Sequence, residues 1–144
     1  MATTEAEKKD VAHRLHSEIW SEGNLDLVDE IVAAGYVEHN PSVPHDARGP
    51  ADYKESVQMF RTAFPDLTLT EEDTIVEGDK VVSRVTLRGT HEGEFMGVEP
   101  TGAKVESEGI VINRIVDNQL VESWPLADMM GVMQQLGVVE SPAD

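Results

Sequence analysis

The sequence predicts an α+β domain, because helical patterns fill its first half and strand patterns follow Pro65. Before Pro65, apolar residues recur every three to four positions, which is the spacing of amphipathic helices. After it, β-branched residues alternate with polar ones in short segments between turn residues, as in antiparallel strands. With 144 residues and 40% hydrophobic content, we expect one domain over residues 1–144, with the helices packed on one face of the sheet.

Helices are expected in three places before the strands begin. The first covers about Glu5 to Trp20 and has one apolar face. Asn24 is expected to cap a short second helix, and Gly35 to end that segment before YVEHN runs extended. The stretch NPSVPHDARGP is a loop by composition, and a third helix follows from about Ala51 to Phe64.

The strands are expected to form antiparallel hairpins. LTLTEEDTIVE and KVVSRVTLRGT are separated by Gly78 and Asp79, a plausible hairpin turn. AKVESEGIVINRIV predicts a long strand, DNQ its turn and LVESW the returning strand. The chain then predicts a helix that ends near Gly137. Its apolar face, at i, i+3, i+4 and i+7, consists of Met129, Val132, Met133 and Leu136.

Acidic residues dominate the composition, with 28 acidic against 11 basic residues and a formal net charge of -17. Such a surface repels nucleic acid and anionic membranes, so we expect neither as a partner. Two interpretations of the acidity stay open. One is a well-hydrated surface, and the other is a halophilic protein, since at about 1 M salt a Debye length near 3 Å screens the self-repulsion.

Localisation is expected to be cytoplasmic. The chain has no cysteine, which excludes disulfides and thiolate metal sites and fits a reducing interior. The first residues, MATTEAEKKD, carry charge where a signal peptide needs an apolar run, and no apolar stretch approaches the roughly 18 residues of a membrane span.

Asp128 lies at the joint between the last strand and the last helix, in VESWPLADMMGVMQQLG. One interpretation is an ordinary helix cap, worth about 1 kcal/mol, although Gly131 three residues later gives no capping box. The other is a chemical role. The two are compatible, because one carboxylate oxygen can cap while the other faces a pocket.

Four segments together carry a resemblance to a known family: EGNLDLVDEIVAAGYVEHNP, FRTAFPDL, GTHEGEFMGVEPTGAKVESEGIVINRI and VESWPLADMMGVMQQLG. In order and spacing, from about Trp20 to Gly137, they resemble the SnoaL-like polyketide (ester) cyclase family. The resemblance implies an NTF2-like cone, in which a strongly curved, mostly antiparallel sheet encloses a pocket and N-terminal helices close it. It also implies a homodimer through the sheet, and aldol-type ring closure without metal or cofactor.

The resemblance also implies site residues. Asp128 matches the family's general acid and base, and a carboxylate in an apolar pocket is a stronger base than one in water. His39 and Asn40 match the family's histidine and asparagine, so they are expected to orient the substrate, with His39 able to shuttle a proton. The alternative is that both only hydrogen-bond the loop after Pro41.

Further pocket candidates have structural alternatives beside them. Tyr36 packs in the core or donates its hydroxyl into the pocket, and His91 lines the pocket mouth or bonds the backbone. Large apolar residues that belong to the core or to the substrate site are Phe60, Phe64, Trp124 and Met133. The glycine-rich loop GTHEGEFMGVEPTG lacks the lysine of a phosphate loop, and the scattered histidines indicate no metal site.

The expected function is therefore a cofactor-independent cyclase or isomerase-type enzyme acting on a small apolar carbonyl compound. A second class is a non-catalytic, ligand-binding dimer in which Asp128 only caps its helix. A third is an epoxide-hydrolase-like enzyme on the same fold. That enzyme needs a carboxylate–arginine–carboxylate group, for which Arg84, Arg88 and Arg114 are available on strands.

Salt adaptation predicts that the protein folds poorly in dilute buffer. We expect thermal unfolding followed by circular dichroism to give a higher Tm in molar KCl than in dilute buffer, because screening weakens the repulsion among carboxylates. A Tm in dilute buffer that equals or exceeds the value in molar KCl would rule out the halophilic interpretation.

Overall fold

The described part of the chain, residues 3–41 and 45–139 of a computed structural model, forms helices packed on one sheet. The helices are α1 (Glu5–Arg14), α2 (Asp26–Ile31), α3 (Gly49–Ala63) and α4 (Met129–Gln135), and α1 continues as a π-helix over Leu15–Ser21. The strands are β1 (Val32–Glu38), β2 (Ala47–Arg48), β3 (Thr68–Glu77), β4 (Lys80–Thr90), β5 (Lys104–Val116) and β6 (Gln119–Ala127). The α+β class is confirmed, and no helix in the described ranges is long and apolar enough to cross a membrane.

The sheet has the strand order β2-β1-β6-β5-β4-β3. All neighbours are antiparallel except β1 and β6, which are parallel. One row of paired residues crosses the sheet, from Glu38 through Ser123 and Asn113 to Val81. Side chains alternate along a strand, so this row lies on one face, the face on which the N-terminal helices pack. We call it the inner face and the opposite one the outer face.

Both predicted turns are confirmed. Gly78, at φ 62°, and Asp79 join β3 to β4. Asp117 and Asn118 join β5 to β6 with φ of 52° and 61°. In the second turn φ is positive at both central residues and in the first at Gly78 alone, and both patterns occur in the tight hairpin turns whose twist matches that of the strands. The two turns therefore fix the register of the long strands.

Apolar side chains form two cores on the inner face. The first core packs the N-terminal helices on the sheet and includes Val11, Leu15, Ile19, Val28, Val57, Val81, Ile115 and Leu120. The second core lies under α4 and the loop before β5 and consists of Ala63, Phe64, Leu67, Phe95, Val105, Val132 and Leu136. Trp20 packs against both, so the region between the two cores lies beside its indole.

The first predicted helix is α-helical only as far as Arg14, where the π-helix begins. Ser21, the last residue of that π-helix, accepts a hydrogen bond from the Leu69 amide and donates one to the His16 carbonyl. These bonds join the widened turn to β3. The local sequence pattern could not indicate the π-helix, because the π-helix depends on a contact with a strand that is distant in sequence.

Two predictions about helix ends are wrong. Leu25, not Asn24, occupies the N-cap position of α2, and no side chain caps that helix. Gly35 does not end the segment, because the backbone is already extended at Val32 and Gly35 lies inside β1. Pairing with β6 overrides the local signal there. Of the predicted loop NPSVPHDARGP, residues 42–44 lie outside the described residues.

A histidine–carboxylate pair connects the π-helix to β3. The buried imidazole of His16 places Nδ1 2.9 Å from Glu71 Oε2, and Thr74 donates its hydroxyl to the same carboxylate. Burial by itself would raise the pKa of Glu71, but the hydrogen bonds from His16 and Thr74 outweigh burial and lower that pKa. A carboxylate with a lowered pKa stabilises the fold above its unfolded pKa of about 4.5 and loses this effect as the pH falls through the folded pKa.

Glu71→Gln is therefore expected to destabilise the protein at pH 7 by about 1–3 kcal/mol, the usual cost of leaving buried partners unsatisfied. The deficit should shrink as the pH falls below about 4.5 towards the lowered folded pKa, because the unfolded wild-type chain then binds a proton that the folded carboxylate does not. Urea unfolding at pH 7 and at pH 3.5 measures both. Glu94→Gln, at an exposed position, is the control and should leave the unfolding midpoint unchanged.

Candidate functional site

A cluster of polar side chains occupies the inner face next to the first core. It consists of Tyr36, Glu38, Asn40, Asn113 and Ser123, and we call it the interior polar cluster. The Tyr36 hydroxyl donates to Glu38 Oε1 at 3.2 Å, and the Asn40 side chain also hydrogen-bonds Glu38. On the neighbouring strands, Ser123 Oγ donates to Asn113 Oδ1 at 2.6 Å. The β1–β6 pairing places Glu38 directly opposite Ser123 and so brings the two parts together.

Glu38 is a half-buried carboxyl that the sequence did not indicate as a site residue. Burial raises its pKa, and the hydrogen bonds from Tyr36 and Asn40 oppose that rise only in part. Burial also raises the pKa of Tyr36 and of Tyr53, so both hydroxyls stay protonated and can donate. The cluster therefore holds a carboxyl that is more basic than one in water and is surrounded by neutral donors.

Aromatic rings form a continuous series between the two cores. Successive ring centroids lie 5.3 to 6.0 Å apart along Tyr36, Tyr53, Trp20, Phe60, Phe95 and Phe64. The indole N–H of Trp20 donates to the Tyr53 hydroxyl at 2.8 Å, which fixes both rings. We call this series the aromatic chain. Rings of this kind provide an apolar contact surface for a flat ligand.

Two buried polar atoms of the interior have no hydrogen-bond partner among the described residues. One is Ser83 Oγ on β4, and the other is Nε2 of His91. His91 Nδ1 accepts from the Thr101 amide at 3.1 Å, so in the neutral ring the proton is on Nε2. His91 thus bonds the backbone and its ring packs on Phe64, while a place at the pocket mouth stays a prediction. Buried polar atoms are normally paired, so both are candidates for ligand contacts.

Asp128 caps α4, and this part of the prediction is confirmed. Its Oδ1 accepts from the Gly131 amide at 2.8 Å, and the carboxylate lies so close to Gly131 that an added Cβ there would collide with it. The residue is exposed. The cap needs only one oxygen, and a chemical role for the carboxylate stays a prediction.

His39 and Trp124 lie together on the outer face. The imidazole stacks on the indole with centroids 5.5 Å apart, and His39 Nε2 lies 2.7 Å from Glu122 Oε2. His39 follows Glu38 directly, so strand alternation turns the two side chains to opposite faces. The structure thus brings Tyr36 and Asn40 together in the interior polar cluster, but it does not bring His39 or Trp124 to them.

The remaining candidates divide between the second core and the outer face. Phe64 is buried in the second core, and Phe60 and Met133 pack half-buried against it. The three arginines form ion pairs on the outer face. Arg84 pairs with Asp73 and Glu108. Arg88 pairs with Glu106, and Arg114 pairs with Asp79 and Glu122. Within residues 3–41 and 45–139, no three histidine or acidic side chains are grouped so that they could hold a metal ion.

Open pockets also occur at the surface, away from the interior polar cluster. One, of about 340 Å³, lies between the π-helix and β3 beside His16 and Glu71. Another, of about 220 Å³, lies beside Arg61 between Gly23 and α3. An enclosed pocket inside the cone stays a prediction.

Comparison with known proteins identifies the family. The family model of the SnoaL-like polyketide cyclases matches residues 10–136. The chain belongs to this family. It is 32% identical over 128 residues to the aklanonic acid methyl ester cyclase DnrD of Streptomyces peucetius, which covers 83% of this chain and 84% of that protein. The fold is accordingly the NTF2-like α+β fold of the SnoaL-like cyclases.

Solved structures agree with this assignment. IdmH of Streptomyces antibioticus, proposed to be a polyketide cyclase, has a TM-score of 0.80 at 34% identity, over 91% of this chain and 99% of that one. AclR of Streptomyces galilaeus, proposed to be a hydroxylase, has a TM-score of 0.85 at 28% identity, over 98% and 87%. Different activities are thus proposed for members of this fold, so the reaction has to be argued from the side chains.

Glu38→Gln is expected to raise the Tm at pH 8. Because burial raises the pKa of Glu38 in the folded state, its ionised form opposes folding above that pKa, whereas an amide carries no charge to desolvate. Below the unfolded value of about 4.5 the wild-type carboxyl is neutral in both states, so the gain should vanish at pH 3.5. Differential scanning calorimetry at both pH values measures this.

The matched control is Glu108→Gln, which removes an exposed carboxylate from the outer face of the same sheet. Its ion pair with Arg84 is at the surface, where such pairs contribute about 0–1 kcal/mol, so no gain is expected. Equal Tm values for wild type and Glu38→Gln at pH 8 would contradict the desolvation of Glu38.

Proposed function

We propose that this SnoaL-like protein is a cofactor-free enzyme that closes a ring in a polyketide ester by an intramolecular aldol-type reaction. The observation that carries the proposal is its 32% identity to DnrD across most of both chains, because DnrD is a cyclase of aklanonic acid methyl ester. The side chains of the interior are chemically compatible with such a compound, since the aromatic chain is apolar and the interior polar cluster offers hydrogen bonds. The likeness to DnrD suggests aklanonic acid methyl ester itself as the first substrate to test.

The proposed reaction needs only proton transfers. A base removes a proton from a carbon next to a carbonyl group, that carbon forms a bond to a ketone carbon, and the ketone oxygen takes up a proton. Atoms and electrons balance within one molecule, so no oxidant or reductant takes part. The family resemblance gives the acid and base roles to Asp128, whose cap hydrogen bond with Gly131 holds the carboxylate at one place.

The direct test is incubation of aklanonic acid methyl ester with the purified protein, without added metal or cofactor. Liquid chromatography with mass detection should show a product of unchanged mass that forms faster than in a protein-free sample. Binding of the ester without turnover would instead favour the non-catalytic, ligand-binding alternative, in which Asp128 is only a cap.

Asp128→Asn is expected to lower kcat by about 10²–10⁴-fold, the usual contribution of general acid–base catalysis. Its Tm should stay near the wild-type value, because asparagine caps a helix about as well as aspartate. Asp128→Ala is the matched variant, and it should lose both turnover and about 1 kcal/mol of stability. Wild-type turnover in Asp128→Asn would leave this residue with the cap alone.

A further inference from the structure

The helix α4 lies along the part of β5 that extends beyond β6. The last residue pair between β5 and β6 is Gly109 with Ala127, and β5 continues from there to Lys104. Along this stretch the neighbour of β5 is α4, which follows β6 in the chain. The backbone N–H and C=O groups of a strand edge need partners. Here the α4 segment supplies them.

Gln135 binds this edge at the C-terminal end of α4. Its Oε1 accepts a hydrogen bond from the Glu106 amide N–H at 2.8 Å, and its Nε2 donates to the Glu106 carbonyl at 2.8 Å. A side-chain amide carries an acceptor and a donor side by side, so it can form the two hydrogen bonds that a residue of a neighbouring strand would form. We call these two bonds the Gln135 clamp.

Asp128 binds the same edge at the N-terminal end of α4. Its backbone N–H donates to the Glu108 carbonyl at 3.3 Å, and its carbonyl accepts from Ser107 Oγ at 3.4 Å. Both distances exceed the usual range, so these bonds hold the residue weakly. The Asp128 carboxylate accepts its hydrogen bond from the Gly131 amide, inside the helix. The position of the carboxylate therefore depends on where the whole helix lies.

α4 needs an attachment to β5 to keep that position. It has seven residues, and isolated helices shorter than about 12–15 residues are marginal in water. Gly131 in its first turn lowers the helix propensity further. Val132 and Leu136 pack the helix on the second core, but apolar contacts are not directional. The directional bonds of ordinary length between α4 and β5 are those of the Gln135 clamp.

We propose that Gln135 is a positioning residue for Asp128. The Gln135 clamp fixes α4 on the edge of β5, and the helix then holds the Asp128 carboxylate in the place from which it transfers protons. Gln135 acts only through the helix and takes no part in the proton transfers. The inference rests on the proposed function for the role of Asp128. Loss of the clamp is expected to let α4 shift on its apolar contacts, and the carboxylate shifts with it.

Amide hydrogen exchange followed by NMR tests the structural part. Gln135→Met keeps the length of the side chain and removes both bonds of the clamp. The Glu106 amide should then exchange about two- to tenfold faster, the value of one net hydrogen bond. The Gly131 amide should also exchange about two- to tenfold faster, because its bond to Asp128 opens more often when the helix moves. Gln134→Met, next to the clamp but outside it, is the matched control and should exchange as wild type does at both amides.

Turnover of aklanonic acid methyl ester tests the chemical part. Gln135→Met should lower kcat by about 10- to 10²-fold with KM within about twofold, because a misplaced catalytic group slows the chemical step more than binding. Added to Asp128→Asn, the same change should lower kcat no further, since no catalytic carboxylate is left to position. Gln134→Met should keep the wild-type kcat.

The inference is overturned if the Gly131 amide of Gln135→Met exchanges at the wild-type rate, or if that variant keeps the wild-type kcat. It is also overturned if the double variant is slower than Asp128→Asn by the factor that Gln135→Met causes alone, because Gln135 then acts independently of Asp128. Exchange is measured without substrate, so the two proposals can fail separately. If wild type does not cyclise the ester, the proposed function fails, and exchange at Gly131 decides by itself whether Gln135 positions Asp128.

Discussion

The parallel pairing of β1 with β6 decides which side chains enter the interior. It places Glu38 opposite Ser123 and Val37 opposite Glu122, so Tyr36 and Glu38 turn inward while His39 turns outward. A slip of one residue would exchange the two faces and place an imidazole where the carboxyl now lies. Burial holds this phase of the alternation, because Tyr36 lies in the first core and a slip would expose it. The Val32–Leu120 pair does not set the phase alone, since the register shifts between Val32 and Val37. The chemistry of the interior therefore depends on a packing contact between distant parts of the chain.

Polar groups on an inner face cost free energy unless they are hydrogen-bonded. Ser123 and Asn113 satisfy one another, and Tyr36 satisfies part of Glu38. Ser83 Oγ and His91 Nε2 remain unsatisfied within the described ranges, and Glu38 has no cation there. The two apolar cores on either side supply the compensating burial. Such a distribution is expected of a binding interior, where some stability is given up for groups that a ligand can use.

Local signals in the sequence predicted the elements that local physics determines. β3 and β4 have the expected limits within one residue, because alternation and hairpin turns act over a few neighbours. The cap by Asp128 is equally local. The π-helix and the extended backbone at Gly35 come from tertiary contacts, which no local pattern reports. Phe95 was missed for a related reason, since it is a lone aromatic in a glycine-rich loop whose close approach to α3 is possible because Gly93 has no side chain.

The site prediction was limited by one unknown, namely which of the alternating side chains of β1 face the interior. We call this the phase of the strand. His39 and Asn40 were both expected in the pocket. Neighbouring side chains of an extended chain point to opposite faces of the sheet, so only one of these two residues can face the interior.

The sequence does not say which alternation faces the helices, because the answer lies in the pairing with β6. Once that phase is known, Glu38 follows as an interior carboxyl and the His39–Trp124 stack follows as part of the outer face. Members of this fold share the curved sheet, so the side chains that the phase turns inward are what can distinguish one activity from another. In this chain they include the Glu38 carboxyl, whose pKa burial raises, and the hydroxyls of Tyr36 and Ser123, so the interior is polar along β1 and β6 and apolar in the two cores beside them.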